Sequence, residues 1–276
     1  QIDMGKEVGE IGGNLVAGAG EAKIQVRGPM DAVAIDFDVK QKGAKFHDFD
    51  FGEVDGRITY DDKTTRIQIS NLIGRKNSSS YQVSGDVNVG EGDDLSLEAA
   101  FSEGDPNDIF AIFAIPLKDI TWLPRGMGGT VQGTAKVGGG YSKGLESLSI
   151  AGQLKGKNLS YKGEILHEAD ITAALSKGTL KATIDHARKY ETPIEGWIEY
   201  KLSGEMKYLL AVSRGKLRNL DAIAAVGFPI DGMFSFRSEG SGKWETLASI
   251  SRFELRNAFV RTRPIQAFSI DYLTFP

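Results

Sequence analysis

Leu148-Ser149-Ile150, followed by Leu154-Lys155-Gly156-Lys157-Asn158-Leu159-Ser160-Tyr161, belongs to a unit that opens at Gly128-Gly129-Thr130-Val131 and is met again 115 residues earlier. There Val33-Ala34-Ile35-Asp36-Phe37-Asp38-Val39 sets Val33 on Leu148, Ile35 on Ile150 and Val39 on Leu154. The same frame sets Phe46 on Tyr161 and Glu53-Val54-Asp55 on Glu168-Ala169-Asp170. A third copy starts near Asp231-Gly232 and lays Leu255-Arg256-Asn257-Ala258-Phe259 against Leu154 to Leu159, at an offset of 101. Such repeats are one supersecondary unit stacked on the next, because a single unit cannot bury its own apolar face. The reading is one continuous repeat-built body over 1–276, with repeats at about 12–106, 107–218 and 219–276, cut from a longer chain.

Strand signals dominate each copy. Val33, Ile35, Phe37 and Val39 alternate with Ala34, Asp36, Asp38 and Lys40, a period of two that buries one face and wets the other. The pattern returns at Tyr81, Val83, Gly85, Val87 and Val89, at Leu95, Leu97, Ala99 and Phe101, and at Met206, Tyr208, Leu210 and Val212. Turn clusters such as Glu91-Gly92-Asp93-Asp94 and Ser176-Lys177-Gly178 reverse the chain between these runs, so neighbours should be antiparallel. Two segments break the alternation, Asn107 to Ile115 and Asn219 to Val226; each starts at an Asn/Asp cluster suited to an N-cap and ends before a proline, so each predicts a short helix between repeats. About 17 strands at ~4.8 Å would make an open sheet roughly 80 Å long. A sheet that long tends to curl, so the expected fold is all-β: an elongated, curled antiparallel sheet whose apolar side forms a groove.

Composition narrows the function. Net charge is -4 with scattered basic residues, which lacks the electrostatic footprint of nucleic-acid binding. The absence of cysteine removes disulfides and thiolate metal sites. The longest mostly apolar run, Ile109 to Leu117, is nine residues, against about 20 for a spanning helix.

Motifs of catalysis do not hold together. Gly140-Tyr141-Ser142-Lys143-Gly144 matches a nucleophile pattern, with His167 and His186 downstream, but strand and not helix is expected after it. Gly152 to Asn158 and Gly240-Ser241-Gly242-Lys243-Trp244 lack the spacing or the hydroxyl of a phosphate loop. Asp36/Asp38 and Asp48/Asp50 pair carboxylates along strands, which reads as a solvated outer face before calcium; His47, His167 and His186 lack zinc-ligand spacing. No enzyme activity, metal or cofactor is expected.

Three elements together, Gly129-x-Val131-x-Gly133 opening a unit, Leu154-x-Gly156-x-Asn158-Leu159-x-Tyr161 in its middle and a short helix ending in Ile/Phe-Pro, resemble the AsmA-like and TamB repeats, over roughly Gly12 to Phe275. The first unit departs from the pattern, having Gly43-Ala44-Lys45-Phe46 in place of the Gly-x-x-Asn-Leu step. The resemblance implies a periplasmic location, tethered to the inner membrane by a segment outside this chain, and a curled β-groove that moves phospholipid between inner and outer membranes. It also implies an outer-membrane β-barrel partner of the Omp85 type. The residues expected to line the groove against acyl chains are Val33, Ile35, Phe37, Val39, Tyr81, Val83, Val87, Leu148, Ile150, Leu154, Tyr208, Leu210, Val212, Phe253 and Leu255. Transport also calls for a lining without fixed polar anchors. Two rivals are a scaffold for outer-membrane β-barrel assembly, acting through exposed strand edges, and an adhesin-like solenoid with a filled interior.

Overall fold

The computed structural model describes residues 2–3, 16–30, 32–46, 49–112, 126–227 and 229–274. A two-residue bridge, β1 (Ile2–Asp3), precedes fifteen long strands that fall into a six-strand period. The first six are β2 (Val16–Arg27), β3 (Ala34–Phe46), β4 (Phe49–Asp61), β5 (Arg66–Lys76), β6 (Ser79–Asn88) and β7 (Asp94–Gly104), followed by helix α1 (Pro106–Ile112). The next six are β8 (Gly128–Gly140), β9 (Leu148–Tyr161), β10 (Glu164–Ser176), β11 (Thr179–Lys189), β12 (Thr192–Lys201) and β13 (Glu205–Lys216), followed by a 3-10 turn (Leu217–Asn219) and helix α2 (Asp221–Val226). Three strands of a third set remain, β14 (Ile230–Lys243), β15 (Ala248–Val260) and β16 (Arg263–Thr274). The protein is all-β: every strand pairs with its neighbours in chain order in one antiparallel sheet, which among the described residues does not close into a barrel.

Both expected helices exist, with shifted limits. The first covers Pro106–Ile112, and the rest of the expected Asn107 to Ile115 span lies outside the described residues. The second begins at Asp221, and its N-cap is Leu220, whose apolar side chain makes no capping hydrogen bond. Its free amides are met from β10 instead: a Glu164 carboxylate oxygen accepts from Asp221 N at 3.3 Å and the other from Ala222 N at 2.9 Å. In α1 the local rule holds, because the Asp105 carboxylate accepts from Asn107 N at 2.8 Å.

Cross-strand partners share a face of the sheet, so the register assigns sides without ambiguity. The repeats keep their sides through β-bulges. Ile69 and Leu72 are three apart, which strict alternation would send to opposite faces; a register slip between them returns both to one side. A left-handed residue followed by a buried side chain marks the same step in all three sets: Gly43 (φ 63°) before Ala44, Asn158 (φ 50°) before Leu159 and Asn257 (φ 49°) before Ala258. Gly and Asn are the residues that enter this region at least cost. Gly43-Ala44 is therefore the backbone counterpart of Asn158-Leu159, although its residues differ. The third copy aligns at this step with an offset of 99 (Asn257 on Asn158), which corrects the 101 expected from sequence.

Two compact units divide the chain, Gln1–Arg125 with Val131–Gly152, and Gly126–Thr130 with Gln153–Pro276. In the first unit, one cluster gathers Val39, Val54, Leu72, Tyr81, Val83, Phe101 and Ile112, and a second gathers Val87, Leu95, Tyr141 and Leu148. In the second unit, Leu217, Phe234, Leu255 and Ala258 form a core, with Leu220 and Ile223 against it. The Tyr81 ring lies over Gly74, where a Cβ would come within 2.0 Å of it. Any larger residue at 74 would evict the ring.

Candidate apolar binding face

Four rows of paired residues cross β2 to β8 on one side of the first unit. They run Gly20, Gln41, Val54, Gly74, Tyr81, Phe101, Gly133; then Ala22, Val39, Gly56, Leu72, Val83, Ala99, Ala135; then Ile24, Phe37, Ile58, Ile69, Gly85, Leu97, Val137; then Val26, Ile35, Tyr60, Ile67, Val87, Leu95, Gly139. No charged residue stands in any of them.

The other side carries the charge. Arg27 clasps Asp36 at 2.7 and 2.8 Å, Arg57 reaches Asp38 at 2.8 Å, Arg66 reaches Asp94 at 3.1 Å and Lys136 reaches Glu98 at 2.6 Å. The Arg27 guanidinium, with the Thr59 hydroxyl, holds the Asp36 carboxyl below its ordinary range, and Arg57 does the same for Asp38. These carboxylates are spoken for by cations, and no metal cluster occurs among the described residues. Asp50 is matched by Lys76 at 2.8 Å, a lysine whose pairing with the buried Ser79 puts it on the side of the four rows, while Asp48 and His47 lie outside the described residues.

The second unit repeats the division. Its uncharged rows include Leu175, Leu180, Tyr200, Met206, Gly242; Ala173, Ala182, Ile198, Tyr208, Gly240, Ser249, Thr274; Ile171, Ile184, Gly196, Leu210, Ser238, Ser251, Tyr272; Ile194, Val212, Phe236, Phe253, Ile270; and Gly215, Phe234, Leu255, Phe268. One apolar row stands on the charged side, where Trp197, Leu209, Ile250 and Leu273 are interrupted by Glu239.

The fifteen candidate residues fall into different settings. Ile35, Phe37, Val39, Tyr81, Val83 and Val87 are on the uncharged side of the first unit, and Leu148 and Ile150 pack against Val87 and Leu95 there. Val33 precedes β3, with its carbonyl accepting from Asp62 N at 3.0 Å. Tyr208, Leu210, Val212, Phe253 and Leu255 share the uncharged side of the second unit, and Leu154 is half-buried in β9 of the same unit. Burial divides them more sharply than position. Tyr81 and Leu148 are each 3% exposed, whereas Leu210 is 37% exposed.

The chain itself covers the face of the first unit. Ile109 and Ile112 of α1 pack on the Val54–Tyr81–Phe101 cluster. Near the end of the β3–β4 hairpin, Phe51 packs on the same cluster and Phe49 on the Val87–Leu148 cluster. The Tyr81 hydroxyl donates to the Phe51 carbonyl, and burial pushes the Tyr81 phenol above its ordinary pKa. Position 49 is one that periodicity alone could not have placed over non-neighbouring strands.

Carboxylates on each helix latch it to the sheet. Asp108 accepts from Asn77 Nδ2 at 2.5 Å, Ser78 N at 3.2 Å, Ser78 Oγ at 3.1 Å and Ser79 Oγ at 2.7 Å. Burial would raise its pKa, but the donors from Asn77, Ser79 and Ser78 outweigh burial and hold it below the ordinary carboxylate value. On α2, Asp221 pairs with Lys189, which also reaches Glu164 at 2.9 Å and the Ile165 carbonyl at 2.9 Å. Lys189 resists the lowering effect of burial because both carboxylates keep it charged. Ser79 and Thr192 open equivalent strands, yet the buried Thr192 hydroxyl has no hydrogen-bond partner among the described residues.

A polar group interrupts the uncharged side where none was expected. On β13 to β16 the Tyr208 hydroxyl meets Ser238 Oγ at 2.9 Å, which meets Ser251 Oγ at 2.9 Å, and Ser249 Oγ meets Thr274 Oγ1 at 2.5 Å. This corrects the expectation of a lining without polar anchors. The signal was in the alternation: continuing Phe234 and Phe236 by two gives Ser238, and stepping back from Leu255 and Phe253 gives Ser251 and Ser249. The catalytic-looking motif at Gly140 to Gly144 runs from the end of β8 into turns that lead to β9, without the strand-to-helix turn a nucleophile elbow requires.

No protein-family model, curated protein or solved structure matches this chain.

Proposed function

We propose that the chain is a non-enzymatic segment of an AsmA/TamB-like bridge that shelters phospholipid acyl chains on its uncharged side during transfer between inner and outer membranes. One observation carries this reading: in each unit the rows between the helix-proximal end and the far end of one side lack charge, and charge enters that side at Lys76 and Lys189, each opposite the residue that opens the next strand, while most other charged residues gather on the opposite side. An ordinary core needs only enough apolar area to fold. A face with one lysine beside each helix and uncharged rows beyond it suits a ligand that slides along the rest. About 0.8 kcal/mol is at stake per sheltered CH₂, so one 16-carbon chain represents on the order of 13 kcal/mol. In this reading the sheet curls so that the uncharged side is the concave one, and the protein works in the periplasm with its anchor outside this chain.

The two units would play different parts. Where α1, Phe49 and Phe51 lie on the face, lipid has to displace them; where Leu210, Phe268 and Ile270 are exposed, it has direct access. The test is photocrosslinking in cells from position 210, with the adjacent Leu209 on the opposite side as control. Lipid crosslinks at 210 and not at 209 are expected. Equal crosslinking at both, or none at either, overturns the reading.

A further inference from the structure

We infer that the hydroxyl cluster on β13 to β16 is a resting site for the glycerol-ester region of a diacyl lipid, with the acyl chains lying over the phenylalanines beside it. This rests on the reading of the uncharged side as a lipid path.

Proton counting makes the cluster a donor. Tyr208, Ser238 and Ser251 own three hydroxyl protons and share two hydrogen bonds, so one O–H of the three is left over from these bonds and can serve a ligand's acceptor. Ser249 and Thr274 own two protons and share one close bond, with Thr274 Oγ1 also 3.5 Å from the Ser249 carbonyl. Ser238, at 6% exposed, fixes the middle of the chain, and Tyr272, at 61%, stands in its row on β16.

Chemistry selects the ligand group. No cation stands in these rows, so a phosphate would lose its hydration without a counter-charge. A neutral acceptor such as an ester carbonyl matches a hydroxyl donor and has a low desolvation cost. Next along the strands come Val212, Phe236, Phe253 and Ile270, then Phe234, Leu255 and Phe268, with the Phe234 and Phe253 rings stacked at 5.7 Å. Ile270 is 48% exposed, so this apolar ground is open beside the hydroxyls. Rows two residues apart are separated by about 7 Å, so esters at the hydroxyl rows put the chains directly over the aromatic ones.

The experiment compares a dipalmitoyl phosphatidylethanolamine with its diether analogue, which lacks only the ester carbonyls, both carrying the same headgroup fluorophore. The chain should bind the diester on the order of tenfold more tightly, the effect of about one good hydrogen bond. Ser238→Ala/Ser251→Ala should bring the diester down to the diether value and leave the diether unchanged. Tyr208→Phe, which keeps the ring and so the packing, should give part of the same loss, with folding of each variant checked by circular dichroism. Equal affinities for the two lipids in the native chain, or an equal loss of both in the variants, overturns the resting site and leaves the path intact. Binding of neither lipid by the folded native chain overturns the path itself.

Discussion

Gly43 and Asn158 occupy one and the same step of successive repeats, both left-handed, both followed by a buried side chain. The step bends a strand and advances the alternation by one, which is how a repeat keeps its face through a bulge. A Cβ at Gly43 would meet nothing within 4 Å, so substitution there tests the backbone alone. Gly43→Ala should cost about 1 kcal/mol and Asn158→Val about 1–2 kcal/mol, while Asn158→Gly should be close to neutral. Urea titration of each variant measures this.

Asp108 makes the first unit acid-sensitive. Its folded carboxyl lies below the ordinary value, so its contribution is fully present above the unfolded pKa near 4 and is lost as pH falls through the lower folded value. Asp108→Ala should cost about 1–3 kcal/mol at pH 7, because Asn77, Ser78 and Ser79 lose their acceptor. The penalty should shrink towards pH 2, as seen by thermal melts across the range.

Equivalent strand starts should answer in opposite ways. Ser79→Ala removes a bond to Asp108 and should destabilise by about 1 kcal/mol. Thr192→Val removes a hydroxyl that has no partner among the described residues, keeps the shape and should be neutral or stabilising by up to ~1 kcal/mol. Denaturant midpoints of the two single variants settle the comparison.

Loosening the hairpin should expose the first unit. Tyr81→Phe deletes the donor to the Phe51 carbonyl, and Phe49→Ala removes a ring from the Val87–Leu148 cluster. Both should raise the binding of a fluorescent fatty acid severalfold while lowering stability by about 1 and about 2–3 kcal/mol. Unchanged or weaker binding would show that the rings are core and nothing more.

Much of this was legible in the chain. Alternation placed Ile35 and Phe37 opposite Asp36 and Asp38, and the offset of 115 set Val54 on Ala169, two residues that are both buried. What escaped is what alternation cannot encode. A bulge changes parity without a fixed residue, so Asn257 was aligned two positions off. Phe49 reaches its cluster through tertiary folding of a hairpin, and the α2 cap comes from Glu164, 57 residues before Asp221. The hydroxyl cluster was readable but masked by its neighbours, since serine between phenylalanines passes for a tolerated polar residue on a half-buried strand.

Strand order that never departs from chain order has a kinetic meaning. Each strand finds its partner in the stretch just made, across a short turn, and only the joins through α1 and α2 ask for a longer wait. Such local pairing shortens the search and lets a chain released from one end zip up strand by strand. Shortening the chain after α2 should then leave β2 to β13 able to fold, because none of them depends on β14 to β16 for its first partner.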